Sequence, residues 1–101
     1  MLGKPLGSHF DSEAMNWFLS TMDEKSRQII MYLLKERHAG IRKLADLIHA
    51  SSDMEVLIRI REVINPKAQE VILKPLIIFK RSELHSLTGE KITFSWWLNE
   101  E

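Results

Sequence analysis

The segment near the C-terminus, residues 92–98, constrains the fold more than any other stretch of the chain. It reads Ile-Thr-Phe-Ser-Trp-Trp-Leu, and successive side chains of a strand point to opposite faces. Trp96 therefore shares a face with Ile92, Phe94 and Leu98, whereas Trp97 shares the other face with Thr93 and Ser95. A core on one side of a strand cannot bury both tryptophans. We therefore expect a second surface to cover Trp97.

The size and charge of the chain limit its class. Its 101 residues suffice for one domain with a core of its own. Positive and negative residues balance at 14 each, so the chain has no overall attraction for nucleic acid or anionic membranes. It has no cysteine, which excludes disulfides and thiolate chemistry. We expect a flexible segment over residues 1–10, a single α+β domain over residues 11–101 and, without a signal peptide or a membrane span, a cytoplasmic protein.

Helical spacing dominates the first two thirds of the domain. Apolar residues recur three or four apart, which predicts helices over about 11–22, 24–38 and 41–48. Thr21 and Glu24 have the spacing of a capping box for the second helix, and Gly40 suits the position just after its end. Ser52 and Glu55 have the same capping-box spacing and open the next element.

Residues 55–64 fit two structures. They are rich in β-branched side chains and alternate like a strand, but they also form one helical face. The cap at Ser52 and the favourable spacing of Glu55 and Arg59 favour a helix. Asn65 and Pro66 then predict the end of that helix and the start of another, with asparagine as the N-cap.

After Pro75 the apolar residues follow the two-residue period of a β-strand. Residues 75–79 and 91–98 predict two antiparallel strands, and residues 81–90 their connection. The predicted fold class is therefore α+β, with four to five short helices followed by a C-terminal β-hairpin. If the two strands pair, Leu76 and Ile78 lie on the face of Trp97, and both faces of the hairpin are apolar.

No motif for catalysis or cofactor binding is present. The chain has no glycine-rich phosphate loop and no nucleophile elbow. Asp46 and His49 are three residues apart, and a surface pair is favoured over an acid–base dyad. The segment from His9 to Glu13 has ligand-type side chains, but its backbone carries no element that would fix them. We predict no enzyme activity, no metal and no cofactor.

Residues 41–64 have the pattern of a helix-turn-helix. Leu44, Ala45 and Ile48 match the packing face of its first helix, residues 50–52 its turn and residues 56–60 the buried side of its recognition helix. With a preceding helix and a following hairpin, residues 23–98 resemble a winged-helix domain. This resemblance implies DNA binding by a transcriptional regulator.

The charges around this pattern are mixed. Asp53 and Glu55 would open the recognition helix facing phosphates, the turn has no glycine at or near His49, and the wing loop, residues 82–87, is not basic. Six basic residues could still form a local nucleic-acid patch. They are Arg42, Lys43, Arg59, Arg61, Lys80 and Arg81.

The hairpin supplies the other functional hypothesis. A two-stranded ribbon must pack against something, and the first helix, with Trp17 and Phe18, could cover the face of Trp97. Otherwise that face is exposed and marks a partner or a dimer. The favoured function is a small non-enzymatic binding or regulatory module that forms a homodimer or binds a protein through the hairpin, with nucleic acid as the alternative. The predicted interface residues are Trp97, Leu76, Ile78, Thr93 and Ser95.

Overall fold

The computed structural model of the chain describes residues 12–85 and 87–99, and of residue 12 only the backbone. The predicted flexible segment lies outside this range. The elements are, in chain order, α1 (Ser12–Ser20), α2 (Glu24–Glu36), β1 (His38–Ala39), α3 (Ile41–Leu47), α4 (Asp53–Ile58), a π-helical segment (Arg59–Ile64), α5 (Asn65–Ile72), β2 (Ile77–Leu84) and β3 (Lys91–Leu98). The predicted α+β class, with helices first and a hairpin last, is confirmed.

The cap of α2 differs from the predicted one. Asp23 is the N-cap, and its carboxylate accepts hydrogen bonds from the backbone N–H and the hydroxyl of Ser26. The hydroxyl of Thr21 instead donates to the carbonyl of Phe18, at the end of α1. The capping box at Thr21 was therefore wrong, because aspartate two residues later makes the stronger, charged cap.

The end of α2 was also misplaced. The helix ends at Glu36, Arg37 follows at φ 82, and the two-residue strand β1 comes next. Gly40 is the N-cap of α3, with φ −75, and does not follow the end of α2 as predicted. A strand of two residues carries no periodicity that a sequence could reveal.

Residues 53–72 form one continuous helix. Residues 55–64 are helical, as favoured, but from Arg59 to Ile64 the helix is of the wide π type, and the N–H of Asn65 bonds to the carbonyl of Ile60. Pro66 explains the change, because its ring clashes with the carbonyl four residues earlier in an α-helix and it has no N–H to donate. Asn65 is therefore helical and not an N-cap, which corrects the prediction.

The π segment also keeps the buried stripe of this helix aligned. Four α-helical residues turn about 400°, so a spacing of four drifts by about 40° at each step. The wider turn of a π segment opposes that drift. The buried residues recur at every fourth position through the segment; they are Val56, Ile60, Ile64, Ala68 and Ile72.

The three strands form one antiparallel sheet in the order β1-β3-β2. In its register Ile78 is opposite Trp97 and Phe79 is opposite Trp96, and His38 of β1 is opposite Trp97 on the other side. Strand β2 extends to Leu84, so residues 81–84, predicted as loop, are strand. The charged side chains within residues 81–84 interrupt the alternation of apolar and polar residues from which a strand is predicted.

One cluster of buried side chains joins the helices to one end of the sheet. It contains Phe18 and Met22, residues of α2 and α3, the stripe of the long helix, and Ala39, Leu76 and Ile77 at the sheet. Trp96 and Leu98 pack against it. The helices therefore cover the Ile77–Leu98 end of the hairpin and leave its far end beyond the core.

Candidate interaction surfaces

Asn65 fastens the hairpin to the helices. Its side-chain oxygen accepts hydrogen bonds from the backbone N–H groups of Leu76 and Ile77, each at 3.0 Å, and its side-chain nitrogen donates to the carbonyl of Ile77 at 2.9 Å. One amide therefore bonds three backbone groups where β2 begins. Sequence reasoning assigned Asn65 to a helix cap and missed this role, which depends on contacts between distant segments.

Trp97 is covered within the chain. Its side chain is 9 % exposed, with the ring of His38 at 5.0 Å between centroids and the ring of His85 at 6.4 Å. The Nζ of Lys80 lies 5.5 Å from the centre of the indole. We call these four residues the histidine–tryptophan cluster. The expected cover from α1 is absent among the described ring contacts, since Phe18 lies in the main core and Trp17 is half exposed beside Lys67.

The five predicted interface residues do not form one exposed surface. Leu76 lies in the main core and not beside Trp97, and Ser95 is 5 % exposed. Ile78 is half-buried and Thr93 is exposed. Because the chain itself covers most of this set, it offers a partner little apolar area.

The exposed apolar side chains of the hairpin lie farther out. We define its outer half as residues 79–84 and 91–95. Phe79 is 45 % exposed, Leu84 64 % and Phe94 62 %. Phe94 also has a left-handed backbone at φ 52, which is rare for a bulky residue, and the ladder has no pairing between Phe94 and Arg81.

The turn between α3 and α4 has the geometry that the winged-helix resemblance requires. His49, where the sequence has no glycine, adopts a left-handed backbone at φ 56. The N–H of Ala50 bonds to the carbonyl of Ala45, and the N–H of His49 bonds to the carbonyl of Asp46. This pair of bonds is a Schellman motif, so the chain makes the turn with histidine in the usual place of glycine.

Most of the six predicted nucleic-acid residues have partners on the protein. The guanidinium of Arg42 lies 2.8 Å from Asp53, and that of Arg59 contacts both Asp23 and Glu55. The remaining four divide into two pairs. Lys43 lies over the ring of Tyr32 and Lys80 contacts Glu83 and Trp97, whereas Arg61 and Arg81 form no ion pair with the described residues.

The ion pairs of Arg59 lie where α2 meets α4. Glu55 also accepts a hydrogen bond from Lys25 at 3.1 Å and contacts the N–H of Ser51. These two bonds, with the charge of Arg59, lower the pKa of Glu55. For Asp23, desolvation opposes the shift, but the hydrogen bonds from Ser26 and the charge of Arg59 lower its pKa as well. The acids that would repel a phosphate thus neutralise the nearby bases.

An apolar groove runs along the exposed side of the long helix. It has a volume of about 350 Å³, and Met54, Ile58 and Val63 supply its apolar walls. Ser52, Glu55 and Arg59 complete its lining. A recognition helix presents polar side chains to base edges, whereas this face presents methionine and isoleucine.

Asp46 and His49, the pair considered as an acid–base dyad, are both exposed. No group of three potential metal ligands occurs among the described residues. The segment starting at His9 lies outside the described range. Within that range, no helix is both long and apolar enough to cross a lipid bilayer.

No family model, no curated protein and no solved structure matches the chain.

Proposed function

We propose that the chain is a small cytoplasmic binding module, without catalysis of its own, that self-associates through its C-terminal hairpin. The observation that supports this proposal is that β2 is an edge strand with exposed apolar side chains. This strand lies at the edge of the sheet, and it carries two exposed apolar side chains, Phe79 on one face and Leu84 on the other. An unpaired edge flanked by apolar side chains is a ready site for strand addition.

The burial of Trp97 changes where the contact lies. The histidine–tryptophan cluster covers the indole of Trp97 from within the same chain. We therefore place the proposed contact surface on the outer half of the hairpin and not at Trp97. There the apolar side chains are beyond the helices, and a second chain can reach them without displacing the core. A closed symmetric dimer is the commonest assembly that such a surface forms.

The proposal is tested by the mass of the protein in solution. We expect wild-type chain to change from monomer to dimer as its concentration rises in sedimentation equilibrium. The double variant Phe79→Thr/Leu84→Thr, which keeps a strand-forming residue at both positions, should stay monomeric at concentrations where the wild type is dimeric.

A matched control removes apolar surface elsewhere. Met31→Gln deletes an exposed apolar side chain of α2 and should leave the dimer unchanged. A wild-type chain that is monomeric at every concentration would end the proposal. Equal loss of dimer in the control would mean that the contact is not on the hairpin.

A second candidate function is DNA binding, and the arrangement of elements favours it. Helix α2, strand β1, helices α3 and α4, and the hairpin follow one another in the order of a winged-helix domain, with the turn at His49 formed as that resemblance requires. The electrostatics oppose it, because Asp53 and Glu55 pair with the bases that would otherwise meet phosphates.

DNA binding is tested by fluorescence anisotropy with a labelled random duplex. If the chain binds, affinity should fall steeply with salt, and Arg61→Ala or Arg81→Ala should weaken it. Arg27→Ala, which removes an arginine already paired with Glu24, is the control with the same change of charge. No binding at low salt would exclude this function.

A further inference from the structure

We propose that the self-association inferred above, on which this inference rests, occurs by antiparallel pairing of β2 with β2 of a second chain, in the one register centred on Ser82. The outer edge of β2 pairs with no strand among the described residues, because the order of the sheet is β1-β3-β2. The strand runs for eight residues, which is enough for a ladder.

The symmetry of such a pair limits its registers. Two copies related by a two-fold axis perpendicular to the sheet keep their faces on the same sides. Residues that stand opposite each other must then share a face, so they are separated by an even number of positions. Near the middle of residues 79–84, the exposed part of β2, the axis can therefore pass beside Arg81, Ser82 or Glu83, but not between them.

The charges of β2 select among these registers. Arg81 and Glu83 are two residues apart and lie on one face. An axis beside Ser82 places Arg81 of each chain opposite Glu83 of the other, and it does so twice. An axis beside Arg81 or beside Glu83 places two like charges opposite each other, which is destabilising.

The neighbouring side chains suit the same register. Leu84 would lie opposite Lys80, whose Nζ lies 5.5 Å from the centre of the Trp97 ring. The methylene groups of that lysine would then cover part of the exposed surface of Leu84. Glu83 now lies 3.5 Å from Lys80 of its own chain, and exposed pairs of this kind are weak, so the carboxylate is free to change partner.

The helices pack at the other end of β2. They cover the sheet at Ile77 and Leu98, whereas the axis would pass five residues farther along, beside Ser82. Edge strands often carry charges that prevent pairing. Here the charges are opposite in sign and spaced so that they repel in the wrong registers and attract in one.

The experiment uses charge reversal in the full chain, with the dissociation constant measured by sedimentation equilibrium. Arg81→Glu and Glu83→Arg each create two repulsive pairs and should weaken the dimer about ten-fold or more. The double variant R81E/E83R restores two attractive pairs and should return the dissociation constant to within about three-fold of wild type. Circular dichroism checks that each variant keeps its fold.

Mixing the two single variants gives a more direct test. One chain then carries two acids and the other two bases at positions 81 and 83, so the heterodimer has two attractive pairs and should dominate in native mass spectrometry. Arg61→Glu, with the same change of charge on an exposed helical site, is the control and should leave the dimer unchanged.

The outcomes separate the two proposals. A wild-type dimer that is insensitive to both single reversals, or that the double reversal and the mixture do not rescue, overturns pairing at Ser82 and leaves self-association in place. A wild-type chain that never dimerises overturns both. Rescue in the double variant and a dominant heterodimer in the mixture establish the register.

Discussion

The helical half of the molecule and the outer half of the hairpin are stabilised in different ways. Each helix buries one face of apolar side chains in a common core, and the long helix does so along five positions of one stripe. The outer half of the hairpin leaves Phe79, Leu84 and Phe94 exposed. It is stabilised by its backbone ladder, by the ion pair of Lys80 with Glu83 and by the contacts of Lys80 and Phe79 with the two tryptophans. The helical half thus supplies most of the stability of the fold, and the outer half is where we propose that a second chain binds.

Polar contacts add to the buried cluster in joining the sheet to the helices. Asn65 bonds the start of β2, and the pairing of β1 with β3 ties the opposite edge of the sheet. Loss of these contacts should separate the two halves more than it disturbs either one. The following changes test the comparison, from the largest expected effect to the smallest.

The largest expected difference is in the loss of stability when a side chain is truncated in the helical half or in the outer half of the hairpin. Ile60→Ala leaves a cavity in the fully buried stripe and should lower the free energy of unfolding by about 3–4 kcal/mol. Leu84→Ala removes an exposed side chain and should change it by less than about 0.5 kcal/mol in dilute, monomeric protein. Urea unfolding followed by circular dichroism measures both. Similar losses would mean that the outer hairpin is part of the core.

Removal of the hydrogen bonds by which Asn65 holds the start of β2 should have the next largest effect. Asn65→Ala deletes three hydrogen bonds at the start of β2 and should destabilise the fold by about 2–3 kcal/mol. Asn65→Asp keeps the acceptor and should lose less. Hydrogen exchange should show the amides of Leu76 and Ile77 losing protection before those of α2. Uniform loss of protection would contradict a local join.

Relief of backbone strain at His49, in the turn between α3 and α4, should have a smaller effect, and it should stabilise the fold. His49 has a left-handed backbone at φ 56, which glycine adopts without the steric cost that other residues carry. His49→Gly should therefore raise the free energy of unfolding by about 0.5–1 kcal/mol. His49→Ala keeps the strain and should gain nothing, so thermal unfolding of the two variants separates backbone from side-chain effects.

Acid should have the smallest effect, and only on the helical half. The pKa values of Asp23 and Glu55 are lowered from their ordinary values of 3.8 and 4.5. Their contribution to stability is therefore complete above about pH 5 and is lost as the pH falls through 4 toward their lowered pKa values. Thermal unfolding between pH 7 and pH 3 measures this loss.

The matched control is the double variant Asp23→Asn/Glu55→Gln. It should begin less stable at neutral pH and lose less on acidification. An equal acid loss in the variant would assign the pH dependence to other carboxylates.

Much of the fold follows from periodicity, and the failures have physical causes. The change of period after Pro75 predicts the hairpin. Ser52 is the N-cap residue, as predicted, but its side chain makes no capping hydrogen bond, so the capping box with Glu55 does not form. The strand β1 was missed because its two residues make sense only beside β3. The role of Asn65 was missed for the same reason, since its partners lie eleven and twelve residues away.

The candidate surface was harder to predict than the fold. Alternation correctly separated Trp96 from Trp97, but the cover of Trp97 comes from His38 and His85, which are isolated histidines in the sequence. Ion pairing between Arg42 and Asp53 likewise joins residues that no motif connects. Periodicity predicted most of the elements, whereas the contacts between distant elements that cover Trp97 and pair the arginines were missed.

The π segment Arg59–Ile64 makes the packing of the long helix depend more on the number of residues in that segment than on the identity of its exposed residues. Each residue advances a helix by about 100°, so the residues after Arg59–Ile64 have a rotational phase set by the number of residues within that segment. An insertion of one more polar residue there would leave every core side chain chemically unchanged. It would turn the stripe ending at Ile72 away from the core and swing the amide of Asn65 away from the start of β2. Homologous chains should therefore tolerate substitutions at the exposed positions of this segment far better than they tolerate insertions.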